Sequence, residues 1–324
     1  MPHERTRQNA GNAPEGRIGA GVTNTTAPAE GPSPGAAQDR VPSQPFHGLD
    51  ELWLQVAGTL CNLSCRHCFV TCGPTEERHA MMSRAEVAAR VAEGVALGVR
   101  EVYLTGGEPF LNPELEGIVE DTLAHAPVTV LTNGTLFTAR RVAWLSDLTR
   151  ASRYALEMRI SLDGLDAPSH DSFRGPGAWL RTLSGLRALV AAGLAPIVTV
   201  TRPDDEDPLA FASRATAALH AEGIADPRLK LLPMFRLGRE VERSGSSGPF
   251  TTLAGLPPEA FDAHRLQCGH GRAVTSRGVY VCPLLVDEPG GRMADTLADA
   301  ARPYRLAHPA CATCWATGMT CANA

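Results

Sequence analysis

Lysine, long apolar runs and an excess of positive charge are all missing from this chain. A single lysine, Lys230, stands among 30 basic residues. Chemistry that needs several lysines is therefore excluded. No run of 18 or more apolar residues occurs, which excludes a membrane-spanning helix and argues against a membrane partner. The opening stretch MPHERTRQNAGNAPEGR lacks the apolar core of an export signal, so cytoplasmic residence is expected. A net charge of −5 argues against nucleic acid as the main partner. Cysteine is absent from the 195 residues between Cys72 and Cys268. What is present suffices for a sizeable core: 324 residues, 44% of them apolar, make one large domain or a domain with a small appendage.

The nine cysteines flank that gap, four between Cys61 and Cys72 and five between Cys268 and Cys321. Thiols in the cytosol stay reduced. Cysteines clustered in this way read as metal ligands or catalysts rather than as disulfides.

Residues 1–47 are rich in Pro, Gly, Ala and small polar residues. They bury too little surface to offset ordering entropy, and a disordered tail is expected. From residue 50 the pattern changes. Short apolar strands near 52–56, 102–104, 128–132, 158–162, 197–200 and 229–235 alternate with helical patterns. Ser83-Arg84-Ala85-Glu86 is a capping box that opens the first helix. Six such alternations imply parallel strands with helices outside. They fall short of an eight-fold barrel, so the expected fold class is α/β, a partial (β/α)6 barrel over residues 48–240. Ligands should sit at the carboxyl ends of its strands. Residues 241–324 read as a Gly, Ser and Pro-rich linker followed by a small cysteine-rich domain with little core of its own. Bound metal is expected to stabilise that domain.

Cys61, Cys65 and Cys68 form a CxxxCxxC directly after the first strand. Electron-transfer clusters take four cysteines. Three thiolates on one loop leave one iron of a [4Fe–4S] cluster open to another ligand. A zinc site, or a conventional cluster completed by Cys72, has the same residues available.

Further motifs follow at the ends of later strands. Thr105-Gly106-Gly107-Glu108-Pro109 follows the second, Thr132-Asn133-Gly134-Thr135 the third, and Ser161-Leu162-Asp163-Gly164 the fourth, with Arg174 shortly after. In this order the motifs resemble the radical S-adenosylmethionine (radical SAM) superfamily over about residues 50–240. The resemblance implies a partial (β/α)6 barrel with the three-cysteine loop after its first strand. It further implies SAM on the open iron, with the methionine amino group near the GGEP segment. Ser161 and Arg174 would then meet the ribose or carboxylate. Glu108 would accept from the ammonium or orient its loop, and glycines would let backbone approach the ligand. His67, where the family usually has an aromatic, would border the adenine or be a plain loop residue. The implied chemistry is one-electron cleavage of SAM to a 5′-deoxyadenosyl radical, with a reducing partner such as flavodoxin or ferredoxin.

The second group comprises Cys268, Cys282, Cys311, Cys314 and Cys321. Cys268 and Cys282 flank a predicted β-hairpin, and Cys311 and Cys314 form a CxxC. The arrangement resembles a Twitch domain, the shortened SPASM extension, which holds one auxiliary [4Fe–4S] cluster. The cofactors implied are SAM and two [4Fe–4S] clusters. A zinc knuckle uses the same pattern. If Cys268, Cys282, Cys311 and Cys314 are the ligands, Cys321 and Cys72 remain. A spare thiol beside a substrate can return a hydrogen atom to a substrate radical, as related epimerases do.

The expected reaction is hydrogen abstraction from a small polar natural product, such as a sugar, aminoglycoside or nucleoside, ending in epimerisation or alcohol oxidation. Maturation of a ribosomally made peptide and decarboxylation of a sugar acid are the alternatives. Arg236, Arg239 and His270 are polar candidates for the pocket with no role legible in the sequence.

Overall fold

The computed structural model describes residues 41–245, 248–319 and 321–323. Most of the expected tail, residues 1–40, lies outside these. Residues 41–47 correct that expectation, because they are tied to the far end of the chain. Strand β1 (Ser43–Gln44) pairs antiparallel with Tyr304–Arg305, and Gln44 is buried. Composition concealed this, since the partner strand is some 260 residues away.

Six strands run parallel in sequence order: β2 (Glu51–Gln55), β3 (Glu101–Thr105), β4 (Val128–Thr132), β5 (Leu156–Leu162), β6 (Ile197–Arg202) and β7 (Arg228–Pro233). Each is short and rich in β-branched or apolar residues, as buried parallel strands are. Helices Arg84–Ala96, Leu115–Leu123, Ala139–Ala151, Ala178–Ala191 and Pro208–Ala221 fill the crossovers. The capping box at Ser83 is formed in both directions, which satisfies two of the first helix's orphan donors.

Strand alternation sorts the side chains. Leu52, Leu54, Val102, Leu104, Val128, Val130, Met158 and Ile160 face the helices in one large apolar cluster. Trp53 and Tyr103 belong to a second, inner cluster and stack with centroids 4.0 Å apart and planes 6° from parallel. Cys61 and Cys72 join that inner group.

The sheet continues beyond the six strands. Strand β8 (Gly271–Thr275) pairs parallel with β2 on the side away from β3. Strands β9 (Gly278–Tyr280) and β10 (Arg292–Ala294) follow antiparallel, completing a nine-stranded sheet. The C-terminal segment also corrects the expectation of little core. Val279, Val281, Leu284, Leu285, Leu297 and Leu306 are buried in the same apolar cluster as the barrel helices. These residues are scattered in sequence, and only the continuous sheet gives them a common surface. Three short helices carry no strong sequence signal: Ala167–Arg174, Arg239–Ser244 at the start of the expected linker, and Pro309–Thr317, which contains the CxxC.

Candidate active site and cysteine clusters

The loop after β2 is held in place almost entirely through its backbone. The Cys61 N–H donates to Gly73 O at 3.0 Å, and the Arg66 N–H to Phe173 O at 2.8 Å. Arg239 grips the loop three times. Its N–H donates to Cys68 O at 3.1 Å and its guanidinium to Cys65 O at 2.8 Å and to Cys72 O. This supplies the role that the sequence left open for Arg239. Gly238 precedes it at φ 51°, where a Cβ would fall 2.6 Å from Cys68 O. Only glycine fits there.

Cys61, Cys65 and Cys68 line a cavity of about 200 Å³ at the carboxyl ends of the parallel strands. Thr105, Gly106 and Gly107 reach it from β3, Asn133 from β4, and Ser161 and Asp163 from β5. His67, Arg174, Cys72 and Cys321 complete the sequence-derived set there. Glu108 and Pro109 lie behind the wall, both buried.

Glu108 organises that wall. Its Oε1 accepts from Thr132 Oγ1 at 2.8 Å and Phe110 N at 3.1 Å, and its Oε2 from Asn133 N at 2.8 Å. Burial raises its carboxyl above the usual range against these hydrogen bonds. Both oxygens are used within the protein, so the structure gives Glu108 the loop-orienting role. The paired glycines serve a related need. A Cβ on Gly107 would meet Leu60 O at 2.0 Å, and one on Gly106 would meet Ala57 N at 2.9 Å. Close packing of two loops, before any ligand is considered, requires them.

Arg174, Asp163 and His67 form a buried triad. Arg174 Nε donates to Asp163 Oδ2 at 2.6 Å, and His67 Nε2 stands 2.8 Å from the same oxygen. Burial alone would raise the Asp163 carboxyl. The Arg174 charge and His67 outweigh it and hold the carboxyl well below the usual range. His67 also meets Phe173 edge-on at 5.1 Å. Anchoring through Nε leaves the fork of Arg174 beside Cys65 and Cys61, a placement that suits a carboxylate ligand.

The thiols of the first loop differ. Hydrogen bonding from Cys72 pulls Cys68 below the usual thiol range, while burial pushes Cys61 up to about 12. The donor set fits a three-cysteine iron–sulfur site: soft ligands on one loop, facing a cavity, with a guanidinium to balance charge.

The second group shares one cavity. Cys268, Cys282, Cys311, Cys314 and Cys321 line one cavity of about 40 Å³ between the β8–β9 hairpin and helix Pro309–Thr317. Burial pushes Cys268 and Cys311 up to about 12 and Cys321 up to about 11. Among the described residues no three Cys, His, Asp or Glu side chains converge closely enough to ligate a single ion. Cys321 lines both cavities. Its carbonyl accepts from Arg159 of β5, and its N–H donates to Gln267.

Residues 56–208 match the family described as the radical SAM superfamily. These residues, just under half of the chain, form a radical SAM domain. The resemblance seen in the sequence and the parallel α/β fold agree with this match. A probable GTP 3',8-cyclase of Halobacterium salinarum is 34% identical over 143 residues, 42% of this chain and 38% of the cyclase. The chain thus spans well under half of that relative. A mycofactocin maturase, MftC, of Mycobacterium ulcerans is 29% identical over 253 residues, 70% of this chain and 67% of the maturase. Among solved structures, Streptococcus suis SuiB bound to its precursor peptide SuiA superposes with TM-score 0.57 at 14% identity, over 79% of this chain and 65% of that one. The anSMEcpe structure with bound AdoMet gives 0.54 at 15% identity, over 77% of this chain and 79% of that one. Both show a shared fold. The radical SAM family implies SAM and one [4Fe–4S] cluster, and the thiols of the first loop suit such a cluster. Among the described residues no helix is long and apolar enough to cross a membrane.

Of the other polar candidates, Arg236 pairs with Asp204 at 2.8 Å and Glu240 at 3.1 Å, away from the cysteines. His270 pairs with Asp50 at 3.3 Å and stacks on His47. Sequence reasoning passed over Arg159, Gln55, Thr199 and Thr201, all of which line the main cavity. The signal was available on β5, where Arg159 and Ser161 alternate with Met158, Ile160 and Leu162.

Proposed function

We propose that the enzyme abstracts hydrogen from a C–H bond of a small polar substrate and completes the reaction with help from a second cluster in a Twitch-like C-terminal domain. Epimerisation or alcohol oxidation would result. The observation that carries this reading is the position of Cys321 on the border of both cysteine-lined cavities. When bound, SAM and the first cluster supply a 5′-deoxyadenosyl radical for the abstraction. Cys61, Cys65 and Cys68 would hold that cluster, and Arg174 would take the SAM carboxylate. Asp163 and His67 fix the Arg174 guanidinium and exclude water around it. Cys268, Cys282, Cys311 and Cys314 would hold the second cluster. Cys321, or Cys72 beside the first cluster, would return a hydrogen atom. A flavodoxin or ferredoxin would deliver electrons in the cytoplasm.

The test is turnover in D2O with sugar, aminoglycoside and nucleoside candidates. Solvent deuterium at the reacting carbon, lost in Cys321→Ala, supports epimerisation. A two-electron oxidised product without deuterium supports dehydrogenation.

A second reading has its own observation. The match to the mycofactocin maturase covers 70% of this chain, a larger share than the match to the cyclase. Maturation of a ribosomally made peptide is that reading. It predicts 5′-deoxyadenosine release stimulated by a short peptide and by none of the small molecules.

A further inference from the structure

Arg159 is a buried cation inside the barrel. Its side chain lies on the inward face of β5, two residues below Ser161 and four below Asp163. Only 2% of its surface is exposed. Its partners are neutral: Nε donates to Thr199 Oγ1 at 2.7 Å, and Nη1 to the Cys321 carbonyl. It makes no ion pair among the described residues. Nearby Glu101 is engaged by the Tyr103 hydroxyl at 2.6 Å and Thr129 Oγ1 at 3.0 Å.

A guanidinium keeps its proton under essentially all conditions. Burying one without an anion is unfavourable, and proteins ordinarily supply a carboxylate. Here the barrel supplies an opening instead, because Arg159 lines the cavity that also holds the cysteine loop. A second observation points to a ligand. Gln55 is 4% exposed, lines the same cavity, and its Oε1 has no hydrogen-bond partner. Buried polar atoms without partners at a cavity wall mark groups completed by what binds there.

We propose that Arg159 receives an oxyanion of the substrate, a carboxylate or a phosphate ester, while Gln55 Oε1 accepts from a neighbouring hydroxyl. This rests on the small-molecule reading above and narrows it to acidic, hydroxylated substrates. Arg174, tied to Asp163 near the cysteines, is left for SAM. The two guanidinium groups divide the cavity between cofactor and substrate.

The test uses the full chain, reconstituted with iron and sulfide and saturated with SAM. Binding of D-glucuronate, D-glucose 6-phosphate and neutral D-glucose is followed by the ligand-dependent shift of the thermal midpoint. At least one acidic probe is expected to bind tenfold or more tightly than glucose. Which one does so separates carboxylate from phosphate recognition. Arg159→Gln, which can still donate to Thr199, should erase that preference, and Arg159→Lys should keep part of it. Iron content should stay at the wild-type level in both. Equal binding of acidic and neutral probes, untouched by Arg159→Gln, would overturn the proposal and leave the small-molecule reading standing. Binding of no probe would overturn it too, and release of 5′-deoxyadenosine driven only by a peptide would remove the parent reading with it. Loss of half the iron in Arg159→Gln, with no acidic preference in the wild type, would make Arg159 an anchor for the Cys321 segment alone.

Discussion

Glu108 accepts the Asn133 backbone N–H at 2.8 Å, so a carboxylate with no exposed surface ties the end of β3 to the end of β4. Its other oxygen takes Thr132 and Phe110. Glu108→Ala would leave three donors unpaired in a dry site, at about 3 kcal/mol or more. Glu108→Gln would turn an amide N–H2 toward one of these donors, at about 1–3 kcal/mol. Urea unfolding of the metal-free protein checks both values. Equal midpoints for wild type and Glu108→Gln would show that the loop is held by other contacts.

Gly107→Ala tests the packing of the cysteine loop against the β3 loop. The added Cβ would stand 2.0 Å from Leu60 O and 2.9 Å from Cys61 N, both of them backbone atoms. Neither can yield as a flexible side chain does, so the loop must move. Iron retained per chain after reconstitution is expected to fall by about half, the share of one four-iron cluster out of two. An unchanged iron count would mean that the loop adapts without losing its cluster.

Cys314 and Cys321 should separate on iron counting. Wild type is expected to hold about eight irons per chain, assuming two four-iron clusters. Cys314→Ala should retain about four. Cys321→Ala should stay near the wild-type count while losing any solvent-derived hydrogen in product. Loss of iron in Cys321→Ala would make it a ligand and move the hydrogen-donor role to Cys72. About four irons with one zinc in wild type would make the C-terminal site structural.

His170 should impose an acid-side loss of stability. Its ring is fully buried, Nδ1 accepts the Asp163 N–H at 3.2 Å, and Trp179 meets it at 5.5 Å. Burial first, and then the Arg174 charge, push its imidazole down to about 4. The unfolded chain takes up this proton near pH 6.5 and the folded one does not. Stability from this group is therefore complete above about pH 6.5 and declines as pH falls toward 4, by up to about 3 kcal/mol. Glu51, pushed up to about 7 by burial, acts in the opposite sense over part of the same window. The difference in unfolding free energy between wild type and His170→Gln isolates the histidine. It should shrink as pH drops from 7 to 4.5, and a constant difference would refute the assignment.

The order of strands and helices, and the residues at the strand ends, were determined by local sequence. Period-two apolar runs such as Val128–Thr132 and the capping box at Ser83 are short-range signals, and they survive into the structure. The three-cysteine loop was equally legible, because its ligand types and spacing lie within eight residues. Contacts between distant segments were not. Nothing near Gly271 announces that it starts a strand beside β2, or that residues 43–44 pair with 304–305. Strand partnership depends on which edge is free once the barrel has formed. The inward turn of Arg159, the burial of Glu108 behind its own motif, and the seat of Cys321 between two cavities belong to the same class. Side-chain chemistry is written in the residue. Whether that chemistry meets solvent, a neighbouring loop or a ligand is decided by the elements that tertiary packing brings around it.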